Sequence, residues 1–395
     1  MSLPLEGIRV IDCGQIFAAP YCTLQLAQMG AEIIKVEPPT TGDSLRRPDS
    51  SPGGANYSFL MLNANKKSVA LNLKNPRGRD IMMRLLATAD ILVENYLTGV
   101  MESLGLGYSD LHQRFPRLIY ASGKGYGSDG PWARLGAMDS TVQASCGYMS
   151  VTGYPDRVGV KTPATFIDMG TGSHLVSGIV AALFHRERTG RGQKVEVAML
   201  DVCIPAMTGL IADTLQGRKT QRLGNRHRQA CPADVYPARD GEVLIFVLTE
   251  SHWRTMAKLM GGGELLTDVR FKDAPARLAI VDELDRIVSA WTRTYQRDEL
   301  IALLIENGIP NAPVRTVEEV VADPEVVRRG MLLESEFPSR GAIRVMGSPV
   351  KLSEASDSAA PQRRPPLLGE HNREVLASLG IDSEEYERLR ADGVI

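Results

Sequence analysis

The sequence predicts an α/β protein: an open domain with a mostly parallel sheet, followed by a smaller, helix-rich α+β domain. Three observations carry this. Short apolar runs alternate with amphipathic segments through residues 1–205, the pattern of repeated βαβ units. A polar, turn-rich break, Leu223-Gly224-Asn225-Arg226-His227-Arg228-Gln229, ends the alternation, and mostly helical periodicity follows it. At 395 residues the chain is also too long for one ordinary core.

Gly7-Ile8-Arg9-Val10-Ile11-Asp12 reads as a strand, Pro20 to Met29 as a helix and Ala31 to Glu37 as a second strand, a compact βαβ unit. Ser68 to Leu73 is the next strand, and Asn75-Pro76 opens a helix as N-cap and first helical residue. Asp90 to Glu94 and Arg117 to Ser122 continue the series, and Gly190-Arg191-Gly192-Gln193 turns the chain into the alternating strand Lys194 to Met199. Beyond the break one strand is expected, Glu242 to Val247, then helices over His252 to Met260, Ala276 to Thr294 and Arg297 to Asn307. Met331 to Leu352 is strand-like again, and Pro361 to Pro366 leads into a helical tail.

Composition excludes several classes. Lys+Arg 45 against Asp+Glu 47 gives a net charge of -2, with no basic block to follow a nucleic-acid backbone. The five cysteines, Cys13, Cys22, Cys146, Cys203 and Cys231, are scattered and never in C-x-x-C spacing, so no disulfide framework or structural zinc is expected. Met1 to Gly7 has neither a cationic nor an apolar signal region, and no uninterrupted apolar run reaches spanning length. The expectation is a soluble, cytoplasmic chain without nucleic-acid, membrane or metal partners.

One stretch carries chemistry: Lys161-Thr162-Pro163-Ala164-Thr165-Phe166-Ile167-Asp168-Met169-Gly170-Thr171-Gly172-Ser173. From Leu175 onward apolar residues recur at 175, 176, 179, 180, 183 and 184, and the intervening small residues predict a helix packed on most sides. Asp168 is then expected just before the helix N-terminus, where the dipole and free N–H groups favour its ionised form. That describes a carboxylate available as a nucleophile; the alternative is an N-cap aspartate without chemistry. His174 and His185, on the same helix, read as satisfied core histidines. Gly125-Tyr126-Gly127-Ser128-Asp129-Gly130 formally matches a dinucleotide fingerprint, but Pro131 follows where a helix should open, so an irregular loop is expected. Gly261-Gly262-Gly263 reads as a helix stop.

Taken together, Gly7 to Asp12, Ala31 to Pro39, Asn63-Ala64-Asn65-Lys66-Lys67-Ser68, Val93-Glu94-Asn95-Tyr96, Gly125 to Pro131, Asp168, Thr189 to Gln193 and Leu368-Gly369-Glu370-His371 resemble the class III CoA-transferases, the group of formyl-CoA and carnitine CoA-transferases. The resemblance implies a Rossmann-like large domain built from both chain ends, a small domain from the middle and an interlocked homodimer. It divides the chain into residues 1–205 for the first part of the large domain, 206–225 as linker, 226–325 as small domain and 326–395 as the return to the large one. It also implies a nucleophile at Asp168, forming an aspartyl anhydride and then an aspartyl-CoA thioester. CoA contacts fall on Ala18, Asn95, Tyr96, Lys124 and Tyr126, with Lys124 suited to a phosphate and Tyr126 to the thioester end. Gln15 is placed to donate to a developing oxyanion. The substrates are an acyl-CoA and a carboxylic acid, and no metal is required.

The chain departs from formyl-CoA transferases in three places. Asn225 through Asp240 lacks their glycine-rich flap, Phe17 replaces the glutamine before Ala18, and Ser103 replaces an arginine. Succinyl-CoA and a small dicarboxylate are the favoured pair, with Arg46, Arg47 and Arg226 as candidates for a distal carboxylate. A 2-methylacyl-CoA racemase is the nearest alternative, but Met138 stands before Asp139 where those enzymes have a proton-accepting histidine. A non-catalytic acyl-CoA-binding protein is the alternative of another class.

Overall fold

The computed structural model describes residues 3–47, 56–355 and 363–395. Met1, Ser2, Pro361 and Gln362, used in the sequence reading, lie outside them. The chain divides into two compact units: residues 1–146, 162–212 and 323–395 form the first, 147–161 and 213–322 the second.

The first unit is built on six parallel strands: β1 (Arg9–Asp12), β2 (Glu32–Glu37), β3 (Lys66–Ala70), β4 (Ile91–Glu94), β5 (Ile119–Lys124) and β6 (Lys194–Ala198). Their order is β3-β2-β1-β4-β5-β6, with Val10 opposite Ile91 and Asp12 opposite Val93 at the centre. The direction of winding reverses between β1 and β4, which opens a crevice beyond the carboxyl ends of those strands. Successive side chains of a strand face opposite ways. Thus Ile11 and Leu92 join a core with Ile81, Leu85 and Leu376, while Val10 and Val93 join another with Leu26, Leu175 and Ile179 on the opposite face. The predicted cap at Asn75 is present, its side chain accepting from the Arg77 N–H, with Pro76 first in the helix.

The chain's end returns to this unit. The Asn372 side chain accepts from the Ala70 N–H at 2.7 Å, His371 donates its backbone N–H to Ser68, and the hairpin of Leu332–Phe337 and Gly341–Met346 packs Phe337 and Val345 against Leu24 and Leu60.

The Phe166–Thr189 helix differs from expectation. It is buried along Leu175, Val176, Ile179 and Leu183, but Val180 and Phe184 are 43% and 66% exposed, so one face is open. His174 and His185 lie on that open side and are not core residues. By length and composition this helix could cross a membrane, yet its apolar face packs on β5 and β6, as a core helix does. Its approach to the Ala18–Gln28 helix depends on Gly172: a Cβ there would lie 2.6 Å from the Ala18 carbonyl and 3.2 Å from the Cys22 nitrogen.

The second unit holds three antiparallel strands, β7 (Ala233–Pro237), β8 (Glu242–Phe246) and β9 (Asn311–Pro313), where one was expected. β7 was hidden because Asp234 and Pro237 interrupt its apolar pattern, and β9 has only three residues. The helix expected over Ala276 to Thr294 is two, Ala274–Ala279 and Val281–Thr292, broken at Ile280. The Gly261-Gly262-Gly263 run ends the Glu250–Leu259 helix, with φ of +101° and +71° at its first two glycines. All five cysteines are buried free thiols.

Because the close helix contact leaves no room for a methyl group, Gly172→Ala is expected to destabilise the protein by about 1–3 kcal/mol in urea unfolding. An unchanged midpoint would show that the two helices can part freely.

Candidate active site

At the switch point between β1 and β4 the loops form a cavity of about 300 Å³, lined by Gln15 to Ala18, Asn95 to Thr98, Gly123 to Gly125, Ala133, Leu135 to Met138, Asp168, Thr171 and Met199. Its wall is largely apolar through Ile16, Phe17, Leu97, Leu135, Met138 and Met199. Among the described residues lining it there is no histidine, and Lys124 is the only lysine or arginine.

Asp168 reaches this cavity from the third position of the Phe166–Thr189 helix, not from before it. The capping site is taken by Asp139: its Oδ2 accepts from the Ile167 and Asp168 N–H groups at 2.9 and 3.2 Å, and its Oδ1 accepts from Gln143 Nε2. Asp139 is 6% exposed. Burial first, and the Asp139 charge second, push the Asp168 carboxyl from its ordinary 3.8 up to about 7. The expectation that the helix terminus would favour the ionised form is therefore corrected, because a neighbouring carboxylate already occupies the N–H groups that would have supplied it. The outcome is a poorly solvated carboxylate that is ionised only near neutrality and above, a condition found at functional sites.

Gln15 is held on three sides. Its backbone N–H donates to Asn95 Oδ1 at 2.8 Å, its carbonyl accepts from Asn95 Nδ2 at 2.9 Å, and its side-chain Oε1 accepts from the Ser44 N–H at 3.2 Å. The Tyr96 hydroxyl hydrogen-bonds the same side chain. Asn95 thus clamps Gln15 and its amide is committed to protein. Ala18 lines the cavity at the start of its helix.

Two expected CoA contacts are placed differently. Lys124 is buried, with its Nζ 2.9 Å from Glu94 Oε1 and 2.7 Å from the Tyr96 carbonyl, so its charge is neutralised within the protein and is not presented to a phosphate. The strand-end position that suggested a ligand contact also puts it beside Glu94, which is 1% exposed and needs a counter-charge. Tyr126 does not line the cavity: its hydroxyl meets Ser145 Oγ at 3.2 Å and its ring packs edge-on against Trp132. Two of the three arginines expected to meet a distal carboxylate are engaged elsewhere. Arg46 pairs with Glu37 at 2.6 Å and lies over Phe59, and Arg226 pairs with Asp282 and Asp285 at 2.6 and 2.7 Å. Arg47 is exposed and lines neither of the first unit's two cavities at the strand ends.

A second cavity of about 580 Å³ adjoins the first through shared Tyr96 and is lined by Val36 to Thr41, Leu71 to Lys74, Val100, Ser103 and Leu104. Ser103, where the family has an arginine, faces this space, and Lys74 supplies a cation on its rim. Sequence reasoning missed the roles of Asp139, Lys35, Asp43 and Lys74. For Lys35 the available signal was a charge at a strand position that otherwise reads as core, in Ile33-Ile34-Lys35-Val36.

A parallel sheet wound in this order with a half-buried aspartate at its switch point suits covalent acyl chemistry, and a family model decides the matter. CoA-transferase family III matches residues 5–372. The chain belongs to that family. It is a class III CoA-transferase, and its substrates are accordingly CoA thioesters and carboxylic acids. A succinyl-CoA:glutarate CoA-transferase of Mus musculus is 34% identical over 396 residues, spanning 99% of this chain and 90% of that protein. A formyl-CoA:oxalate CoA-transferase of Streptomyces avermitilis is 34% identical over 413 residues, spanning 100% of both. Among solved structures, a CaiB/BaiF family protein from Brucella suis superposes with a TM-score of 0.85 at 32% identity, covering 96% of this chain and 100% of that one.

The raised Asp168 pKa fixes two expectations for the transferase. A carboxyl whose folded-state pKa lies above its ordinary value contributes stability that is complete below about pH 4 and lost as pH rises through about 7. Asp168→Asn is therefore expected to melt above wild type at about pH 8, with the gap closing as pH falls from about 7 toward 4; a pH-independent gap would contradict this. Asp139→Asn keeps an acceptor for the helix N–H groups but removes the charge. The acid limb of the pH–rate profile should then move to lower pH, and a limb that stays put would assign the shift to burial alone.

Proposed function

We propose that Asp168 is the nucleophile of a two-stage CoA exchange. Its carboxylate oxygen attacks the acyl carbon of the donor thioester and expels CoA thiolate, leaving an aspartyl–acyl anhydride. The thiolate then attacks the Asp168 carbonyl carbon, releasing the donor acid and forming an aspartyl-CoA thioester. The acceptor carboxylate attacks that carbon in turn, and the freed thiolate takes the acceptor acyl group, restoring Asp168. Gln15 donates to the oxyanion formed at each step. Asn95 and Lys124 act as positioning residues for the loops that carry Gln15 and Tyr96. The observation that carries this reading is the Asp168 carboxylate in the wall of the switch-point cavity, desolvated and without a cationic partner among the described lining residues.

CoA fits the two adjoining cavities with its thioester end in the smaller and its nucleotide in the larger, where Lys74 meets phosphate in place of the arginine replaced by Ser103. The acceptors named for the relatives, glutarate and oxalate, are dicarboxylates, and a succinyl-CoA donor with a small dicarboxylate acceptor is the pair this supports. Racemisation is disfavoured by Met138, which lines the cavity and has no basic atom. An interlocked homodimer would cover the open face of the Phe166–Thr189 helix, where Val180 and Phe184 are exposed alongside Ile204.

Asp168→Ala and Asp168→Asn are both expected to lower kcat by on the order of 10³-fold or more with the fold intact. In wild type, a single turnover with an acceptor carboxylate carrying oxygen-18 should leave label in the peptide containing Asp168, read by mass spectrometry. Label absent from Asp168 during productive transfer would sink the anhydride route. Analytical ultracentrifugation at micromolar concentration should give a dimer, and a monomer there would remove the interlocked assembly.

A further inference from the structure

Ile16 has φ +66°, in the left-handed region that a β-branched residue rarely occupies. It sits in the cavity wall between Gln15 and Phe17, and the groups that hold it there come from outside the cavity. The Ile16 N–H donates to Asp43 Oδ1 at 3.2 Å. Asp43 is fully buried, its other oxygen 2.9 Å from Lys35 Nζ, and the same ammonium donates to the Gly14 carbonyl at 2.6 Å. Asp43 also accepts from the Leu45 N–H at 2.9 Å, which shapes the short turn beginning at Ser44. That turn aims the Ser44 N–H at Gln15 Oε1.

We infer that the Asp43-Ser44 turn is a positioning element for the transfer reaction, fixing which end of the Gln15 amide faces the reacting carbonyl. An amide has one acceptor end and one donor end. With Oε1 engaged by the Ser44 N–H, the NH₂ end is the donor, one N–H meeting the Tyr96 hydroxyl and the other left for the cavity. A freely rotating amide would present its oxygen to a developing oxyanion half the time and repel it. Asp43 serves the same end through the backbone: by taking the Ile16 N–H it holds the strained turn that directs Gln15 into the cavity. The inference rests on the reading of Gln15 as oxyanion donor.

Ser44→Pro tests it on an exposed residue. The substitution deletes the one N–H given to Gln15. Proline suits the first position of a helical turn, and Asp43, at φ -61° and ψ 142°, already has the conformation that a following proline requires. The expected result is a kcat lowered roughly tenfold or more, with KM for acyl-CoA and the melting temperature near wild type. Ser44→Ala, which keeps the N–H, should behave as wild type. In a Gln15→Ala background Ser44→Pro should cost nothing further, because its effect runs through the missing amide. Wild-type kcat in Ser44→Pro while Gln15→Ala is impaired would overturn the positioning role and leave the Gln15 reading standing, as would losses that simply add in the double variant. An equal loss in Ser44→Ala would place the effect in the hydroxyl and overturn it as well. Wild-type kcat in Gln15→Ala would instead remove the oxyanion reading itself, and this inference with it.

Discussion

Between β1, β2 and the start of β3 lies a set of fully buried ions on which the site geometry depends. Lys66 is 3.1 Å from Asp12 Oδ2 and also donates to the Pro20 carbonyl and Asn63 Oδ1; Lys35 is 2.9 Å from Asp43 Oδ2. Burial alone would discharge Lys35, but Asp12, Asp43 and Glu37 together hold it protonated. Removing one member of such a set leaves a charge with no water and no partner, a loss of about 3–5 kcal/mol. The bonds these ions make reach the loop after β1: Asp12 accepts from the Gly14 N–H and Thr23, and Lys35 donates to the Gly14 carbonyl. The loop that carries Gln15, Phe17 and Ala18 is therefore anchored to three strands at once. A reaction that needs donors in place before charge develops benefits from that rigidity.

The two carboxylates at the helix start divide the work that one residue was expected to do. Asp139 takes the free helix N–H groups and stays buried as an acceptor, while Asp168, within the first turn, is left without hydrogen-bond donors of its own among the described contacts and next to a like charge. A carboxylate stripped of solvent and donors is a stronger nucleophile once ionised, because less stabilisation is lost when its electron pair moves. The fold supplies this condition through Gly172, whose missing side chain lets the helix lie against the one beginning at Ala18 and brings both loops to the same cavity.

On the proposed mechanism, substrate selection rests more on the shape of the cavity than on surface charge. Arg46 and Arg226 are neutralised by Glu37, Asp282 and Asp285, and Lys124 by Glu94, so the cations that looked available serve the scaffold. What remains around Asp168 is a largely apolar wall that also carries Gln15, Thr98 and Thr171, the place proposed for the thioester and its pantetheine arm. The larger neighbouring cavity, with Lys74 at its rim, is the place proposed for the nucleotide.

The amino-acid order by itself determined the alternation of strands and helices, because apolar periodicity and the Asn75-Pro76 start signal are local properties that survive without knowledge of neighbours. It also singled out Asp168, since an acid between an apolar run and a glycine-rich helix start stands out in one dimension, and the family motifs placed Gln15, Ala18, Asn95 and Tyr96 near one another. Only the tertiary structure decided what these groups touch. Asp139 lies 29 residues from Asp168 and caps its helix, Asn95 lies 80 residues from Gln15 and clamps it, and Lys124 meets Glu94 from an adjacent strand. Hydrogen bonds and ion pairs across such separations leave no periodic trace in the sequence. Protonation, orientation and charge balance are consequently set by the packing of β1, β4 and β5 side by side, and not by any segment alone.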